Sequence, residues 1–332
     1  MGYDLEGKDV LVTGATGFIG RRVAKALLQN GARVRVLARN LAKAKDLETA
    51  GATVVSGDVT DPAALPAAVT GCQAVFHFAG ATNEFKPREH FERVNVEGTR
   101  LLAEASLKAG VERFVHASTV WVYGLWAGPG VCETSLCSES GQSYADTKIE
   151  AERVIRRFAA EKGLPAIILQ PSEVYGPDDP HWTERPLALI RAGRMVLTGG
   201  GKGLTQPIFI DDLVTGVLAA AGKGRPGETY ILCGPEAVTF RDYFMSFARM
   251  LGKKRLPSIP ARLALGTAAL AEWAARVSGR PPVFTRQEIL ATTATATYDG
   301  GKAARELGFV AATTPAEGMR RVEDWLLSGR RH

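Results

Sequence analysis

The stretch Val10-Leu-Val-Thr-Gly-Ala-Thr-Gly-Phe-Ile-Gly20 limits the possible folds more than any other part of the chain. A short apolar run ends at Thr13, glycines follow at Gly14, Gly17 and Gly20, and an amphipathic helical pattern runs from Phe18 to Asn30. Glycines at this spacing let a backbone turn sharply out of a strand and approach a bulky anion without Cβ atoms in the way. The helix beyond aims its free N–H groups and positive dipole end at the same point. Thr16, Phe18 and Ile19 belong to this loop and the first helical turn. Strand, loop and helix together read as a phosphate cradle; the glycines alone would mark only a turn.

The sequence around the cradle repeats the same alternation. Strand-like runs at Val34–Leu37, Thr53–Val55, Ala74–Phe78, Phe114–Ala117 and Ala166–Leu169 are separated by helical patterns at Lys43–Glu48, Ala63–Val69, Phe91–Ala109 and Tyr144–Lys162. This predicts an α/β fold, a doubly wound parallel sheet of Rossmann type covered by helices on both faces. Ligands of that architecture bind beyond the carboxyl ends of the strands. After Pro171 prolines and glycines crowd 176–186 and 199–207, a strand returns at Thr229–Leu232, and helical patterns follow at Phe240–Leu251, Ala261–Val277 and Pro315–Leu327. The expected division is a dinucleotide-binding domain over 1–170, rejoined by strands from about 206 to 233. A smaller, mostly helical substrate lobe is expected over 171–332.

Charge and cysteine content exclude other classes. The 41 lysines and arginines exceed the 35 acidic residues by six, spread without a patch, so nucleic-acid binding is not expected. Four cysteines make no disulfide framework in a chain this long, and Cys132 and Cys137 lack a second pair to complete a metal site. No charged-then-apolar leader opens the chain, which predicts a cytoplasmic protein. Ala261–Ala275 is interrupted by Glu272 and flanked by Arg262 and Arg276, so a packed surface helix is expected in place of a membrane span. A hydrophobic lid or membrane-surface contact is the alternative.

Tyr144 and Lys148 are four residues apart in a helical pattern, which places both on one face. An ammonium beside a phenol favours the phenolate, so Tyr144 is expected to exchange a proton near neutral pH. Ser118 and Thr119 follow the Phe114–Ala117 run and should reach the same sheet edge as the glycine loop, where a hydroxyl can bind the oxygen of a carbonyl or alcohol.

With these residues in place, the chain resembles the extended short-chain dehydrogenase/reductases over almost its whole length. The resemblance is carried by Thr13–Gly20, Asp58-Val-Thr-Asp61, His77-Phe-Ala-Gly-Ala81, Asn95-Val-Glu-Gly-Thr99, Ser118-Thr-Val-Trp-Val-Tyr-Gly124, Tyr144-Ala-Asp-Thr-Lys148 and Pro171-Ser-Glu-Val-Tyr-Gly-Pro177. It implies that Tyr144 is the acid/base, Lys148 its electrostatic partner and ribose ligand, Thr119 (with Ser118 beside it) the catalytic hydroxyl, and Asn95 a structural and water-holding residue. It implies that Asp58 and Val59 frame an adenine, that Phe78, Ala79, Gly80 and Ala81 line the middle of a dinucleotide, and that Pro171 to Val174 touch its carboxamide. The hydride chemistry belongs to the nicotinamide. A homodimer through the helices bearing Asn95 and Tyr144 is the usual assembly where the resemblance holds. Arg39, at the end of the second strand where an acid would grip the ribose of NAD, favours the 2′-phosphate of NADP, with NAD the alternative.

Three activities compete within the resemblance. Sugar dehydratases place an Asp-Glu pair after the catalytic hydroxyl, where this chain has Val120 and Trp121. Nucleotide-sugar enzymes carry a diphosphate-gripping arginine where this chain has Thr205, which leaves a nucleotide-sugar 4-epimerase as the runner-up. The chain looks most similar to the 3β-hydroxysteroid dehydrogenase and dihydroflavonol reductase branch, notably at Phe284-Thr-Arg-Gln and Tyr298–Phe309. That branch implies interconversion of a secondary alcohol and a ketone on a flat, largely apolar small molecule. Phe85, Trp121, Trp126, Trp182 and the 261–277 helix are candidates for its pocket. Gln170 and Glu173 depart from the branch; a carboxylate at Glu173 would hydrogen-bond the carboxamide or repel electron-rich substrates. A non-catalytic dinucleotide sensor or scaffold is the rival outside enzymology.

Overall fold

The computed structural model describes residues 3–82, 86–278 and 285–329. Seven strands form one parallel sheet: β1 (Asp9–Thr13), β2 (Arg33–Ala38), β3 (Thr53–Ser56), β4 (Ala74–His77), β5 (Arg113–Ala117), β6 (Ala166–Pro171) and β7 (Thr229–Leu232). Their spatial order is β7-β6-β5-β4-β1-β2-β3. The chain winds outward from β1 through β2 to β3, then starts again at β4 on the other side of β1. That reversal opens a crevice at the carboxyl ends of β1 and β4.

Side-chain alternation explains the two covered faces. Val10, Val12, Phe76, Val115 and Ile167 face α1 (Phe18–Gln29) and the 210–223 helix, whose Val23, Leu27, Leu213 and Val217 are buried with them. Leu11, Val75, Phe114 and Ile168 point the other way, onto α2 (Gly98–Lys108) and α3 (Ser143–Lys162) through Leu102, Ile155 and Phe158. Both faces being apolar, the inner strands β1, β4 and β6 read as almost continuous hydrophobic runs, while β2 and β3 toward the sheet edge carry Arg33, Arg35, Thr53 and Ser56.

Beyond β6 the chain is mostly helical, with α4 (Ile210–Lys223), α5 (Phe240–Met250), α6 (Ala261–Ser278), α7 (Arg286–Ala291) and α8 (Pro315–Leu327). Tyr175, Leu187, Tyr243, Phe247 and Met319 from this part share one buried cluster with the sheet residues. The expected helix over 91–109 is broken. A π-helical turn, Glu92–Glu97, separates a short α-helix, Arg88–Phe91, from α2, and Asn95 is buried within that turn. Among the described residues no helix is long and apolar enough to cross a membrane.

Candidate functional site

The glycine loop joins β1 to α1 and is clamped against the end of β4. Phe78 N donates to Thr13 O at 3.1 Å and Ala79 N to Thr13 Oγ1 at 3.3 Å. Gly14 has φ +71°, and a Cβ there would lie 2.5 Å from Ala79 N. A Cβ on Gly20 would lie 2.4 Å from Gly14 O, so the first turn of α1 sits directly on the loop. α1 starts at Gly17 with no side-chain cap and no acid in its first turn, which leaves its first N–H groups and dipole open to an anion. Phe18 and Ile19 occupy that turn, with Thr16 just before it. At the far end of the crevice Arg39, 74 % exposed at its side chain, approaches Asp58 at 3.6 Å, and Val59 is buried against Gly98.

The end of β5, the first turns of α3 and the π-helical turn bring the reactive candidates together. Lys148 is buried and donates to Ala117 O at the end of β5; burial lowers its pKa to about 8. Ser118 and Thr119 follow directly and are both buried. Tyr144, half-buried on the first turn of α3, has its phenol pushed up to about 12 by burial, and the Thr119 hydroxyl offsets only part of this. This corrects the expectation that Lys148 lowers the phenol toward neutrality. The ammonium is committed to a backbone carbonyl, and desolvation of the ring dominates. The phenol is therefore a proton donor at neutral pH. Asn95 Oδ1 accepts from Ala81 N at 2.7 Å, while its amide donates to Ala81 O and Thr147 Oγ1, both at 3.1 Å. It pins the 78–81 segment, with Gly80 against it, to α3.

Glu173 lies between β6 and the two-residue strand Val174–Tyr175, with Pro171 closing β6 and both Pro171 and Val174 buried. The Glu173 carboxylate is itself buried, accepting from Trp121 Nε1 at 3.0 Å and from Thr205 Oγ1 at 3.2 Å. Trp121 meets Tyr144 edge-on, ring centres 6.3 Å apart, and meets Trp182 the same way at 6.3 Å. Trp182 stacks on Phe240 and is held by a turn that Asp179 caps from its side chain. Trp126 is 55 % exposed and joins none of these ring contacts among the described residues. Phe85 and Phe284 lie outside the described residues. Gln170 accepts from Tyr123 OH at 2.7 Å and donates to the buried Glu152 at 2.8 Å, so it serves a packed polar bridge behind β6.

Set beside known proteins, residues 10–233 match the model of the NAD dependent epimerase/dehydratase family. The chain belongs to that family. It is 29 % identical, over 93 % of both chains, to the 4-hydroxy-2-methyl-3-oxo-4-farnesyl-3,4-dihydroquinoline-1-oxide ketoreductase of Stigmatella aurantiaca. It is 31 % identical to sterol demethylase protein B of Methylococcus capsulatus, over 92 % of this chain and 94 % of that one. In structure it is similar to DesIV, a dTDP-glucose 4,6-dehydratase from Streptomyces venezuelae solved with NAD and TYD bound. The TM-score is 0.80 at 26 % identity, covering 97 % of this chain and 98 % of that one. This member of the epimerase/dehydratase family is an NAD(P)-dependent oxidoreductase of the extended short-chain dehydrogenase/reductase type.

The residues present fit the family's dinucleotide. The uncapped start of α1 suits its phosphates, and the Ser118 hydroxyl, buried without a hydrogen-bond partner among the described residues, lies at the carboxyl edge where the reacting group of a ligand would sit. The sequence reading missed a buried polar chain that ties the loop to Asn95. Thr13 Oγ1 and Thr99 Oγ1 each lie 2.8 Å from a His77 nitrogen, and Thr99 donates to Asn95 O at 2.6 Å. Because Thr99 spends its proton on Asn95, His77 Nε2 must carry hydrogen and Nδ1 must accept from Thr13. Burial holds His77 neutral, with a pKa lowered to about 3. The available signal was a threonine or histidine closing otherwise apolar strands.

The Lys148 value sets a pH prediction. Its pKa is depressed, so the ammonium is charged below pH 8 and discharges above it, while Tyr144 stays protonated throughout. Plotted against pH, kcat/KM for ketone reduction is expected to be level below about 7 and to fall above about 8. A profile level to pH 9.5 would show that Lys148 keeps its charge to the ordinary lysine range, about 10.4, in the reacting enzyme.

Proposed function

We propose that this enzyme interconverts a ketone and a secondary alcohol on a largely apolar small molecule, with NADP preferred over NAD. Bound in the cradle, the dinucleotide supplies or accepts the hydride. Tyr144 gives or takes the proton, Thr119 and Ser118 hold the reacting oxygen, Lys148 contributes positive charge and a ribose contact, and Asn95 positions the 78–81 segment. The observation that carries this reading is Glu173. Where related nucleotide-sugar enzymes grip a diphosphate with arginine, Thr205 here donates to a buried carboxylate. A diphosphate would face like charge and no fork of donors. Trp121, Trp182 and Phe240 add aromatic surface beside it. The farnesyl-bearing and sterol names of two relatives are in keeping with apolar substrates. Likeness to a sugar dehydratase favours a nucleotide-sugar reading, but Val120 and Trp121 follow Thr119 and can neither protonate a leaving water nor take a neighbouring proton.

The test is oxidation of NADPH by the purified protein against a panel of apolar ketones, with UDP-glucose and dTDP-glucose as competitors. Ketone-dependent oxidation without competition is expected. Retained, non-exchanging NAD together with nucleotide-sugar binding and no ketone turnover would overturn the reading. Arg39→Ser is expected to raise KM for NADPH about tenfold, the lower end for a charge-assisted contact at an exposed site, and to leave KM for NADH unchanged. Equal effects on both cofactors would remove Arg39 from 2′-phosphate recognition.

A further inference from the structure

α6 turns an apolar face to solvent. Leu263, Leu270 and Trp273 are 57, 66 and 61 % exposed, and Gly266, Thr267 and Ala274 are exposed between them. At 100° per residue these six positions fall within one stripe about 120° wide. The inner face is small: Ala264 and Ala268 are buried against Ile289 of α7, with Ile259 and Leu265 beside them. The helix is therefore held from one side, and its larger side chains are the outer ones, the reverse of a packed surface helix.

Cations lead into this helix. Lys253, Lys254 and Arg255 are consecutive and exposed just before the two-residue strand that leads into α6, and Arg262 is exposed on the first turn, at the edge of the stripe beside the row of Trp273. Among the described residues none of these four makes an ion pair, and no acidic residue lies between Lys253 and Ala271. The one acid of the helix, Glu272, is turned inward and bound by Arg286 N at 2.6 Å and Nε at 2.9 Å.

We propose that α6 lies in the surface of an anionic lipid bilayer, with Leu263, Leu270 and Trp273 inserted among the acyl chains and Lys253, Lys254, Arg255 and Arg262 on the headgroups. An apolar stripe containing tryptophan, preceded in the chain by a run of cations, with Arg262 at its edge and no outward acid, matches an interfacial helix. A partner protein or second copy would explain the leucines but not the run of cations, unbroken by an acid, that leads into the helix. At 18 residues and without the apolarity of a span, the helix lies on the membrane and does not cross it.

The experiment uses the full chain and sedimentation with vesicles of phosphatidylcholine alone or mixed equally with phosphatidylglycerol. Binding is expected to the mixed vesicles, weakly or not at all to the neutral ones, and to fall with added salt. Leu270→Glu with Trp273→Glu should lower the vesicle partition coefficient more than tenfold. Lys253→Glu with Lys254→Glu should lower it at least roughly tenfold, each headgroup cation being worth about fivefold. All these side chains are exposed, so NADPH binding by each variant should match that of the unaltered protein and serves as the check on folding. No sedimentation with the anionic vesicles overturns the proposal. So does a dimer that dissociates on Leu270→Glu, which would assign the face to a second copy. Equal binding to both vesicle types overturns the headgroup role of the cations.

Discussion

Tyr144→Phe is expected to lower kcat for ketone reduction by about 10³, within the range for loss of a positioned proton donor, while NADPH affinity stays nearly unchanged. The substitution removes one oxygen and keeps the ring, so the edge contact with Trp121 survives. Thr119 loses the hydroxyl beside it but keeps its bond from Trp121 N. Steady-state rates and a fluorescence titration with NADPH separate the two effects. A variant that keeps a tenth or more of the rate would show that the proton comes from elsewhere, water or Ser118 being the nearest alternatives in this reading. A variant that loses rate and cofactor affinity together would assign Tyr144 to binding.

Gly20→Ala is expected to cost about 3 kcal/mol or more and to abolish cofactor binding. The new methyl would stand 2.4 Å from Gly14 O and 2.7 Å from Gly14 C, and both are backbone atoms that no rotamer change can move away. Relief requires α1 to lift off the loop, which carries its N–H groups away from the phosphates. Gly17→Ala is the control for the folding term alone, since Gly17 also belongs to the cradle: its methyl would meet only Gly14 O at 3.3 Å, and a shift of a few tenths of an ångström suffices. Thermal melts with and without NADPH report both terms. If Gly20→Ala melted like the unaltered protein and kept its shift with NADPH, the close seating of α1 on the loop would be wrong.

Much of this was legible because it is written in local pattern. Alternating apolar runs and amphipathic helices specify a two-faced parallel sheet, and Ser143–Lys162 was expected to within one residue at its start. What failed depends on facts that pattern does not carry. Spacing put Tyr144 and Lys148 on one helical face, but the direction of the Tyr144 shift depends on burial and on the carbonyl that Lys148 meets 31 residues away in sequence. Trp121 and Trp126 are five residues apart on either side of a turn; one joins the ring cluster and the other faces solvent, and composition treats them alike. The Glu173–Thr205 contact crosses 32 residues and exists because Val174–Tyr175 pairs with Ile208–Phe209. No short-range signal announces it.

The π-helical turn at Glu92–Glu97 makes the length of this segment matter as much as its composition. A π turn closes its hydrogen bonds one residue later than an α turn, so it seats one residue more. Removing any single residue from it would restore an ordinary helix, at the cost of rotating Arg88–Phe91 by about 100° relative to α2. Asn95 would then no longer meet Ala81 and Thr147 at once. A one-residue deletion in Glu92–Glu97 would thus disturb the site even where every remaining residue is unchanged, which no single substitution away from Asn95 would do by itself.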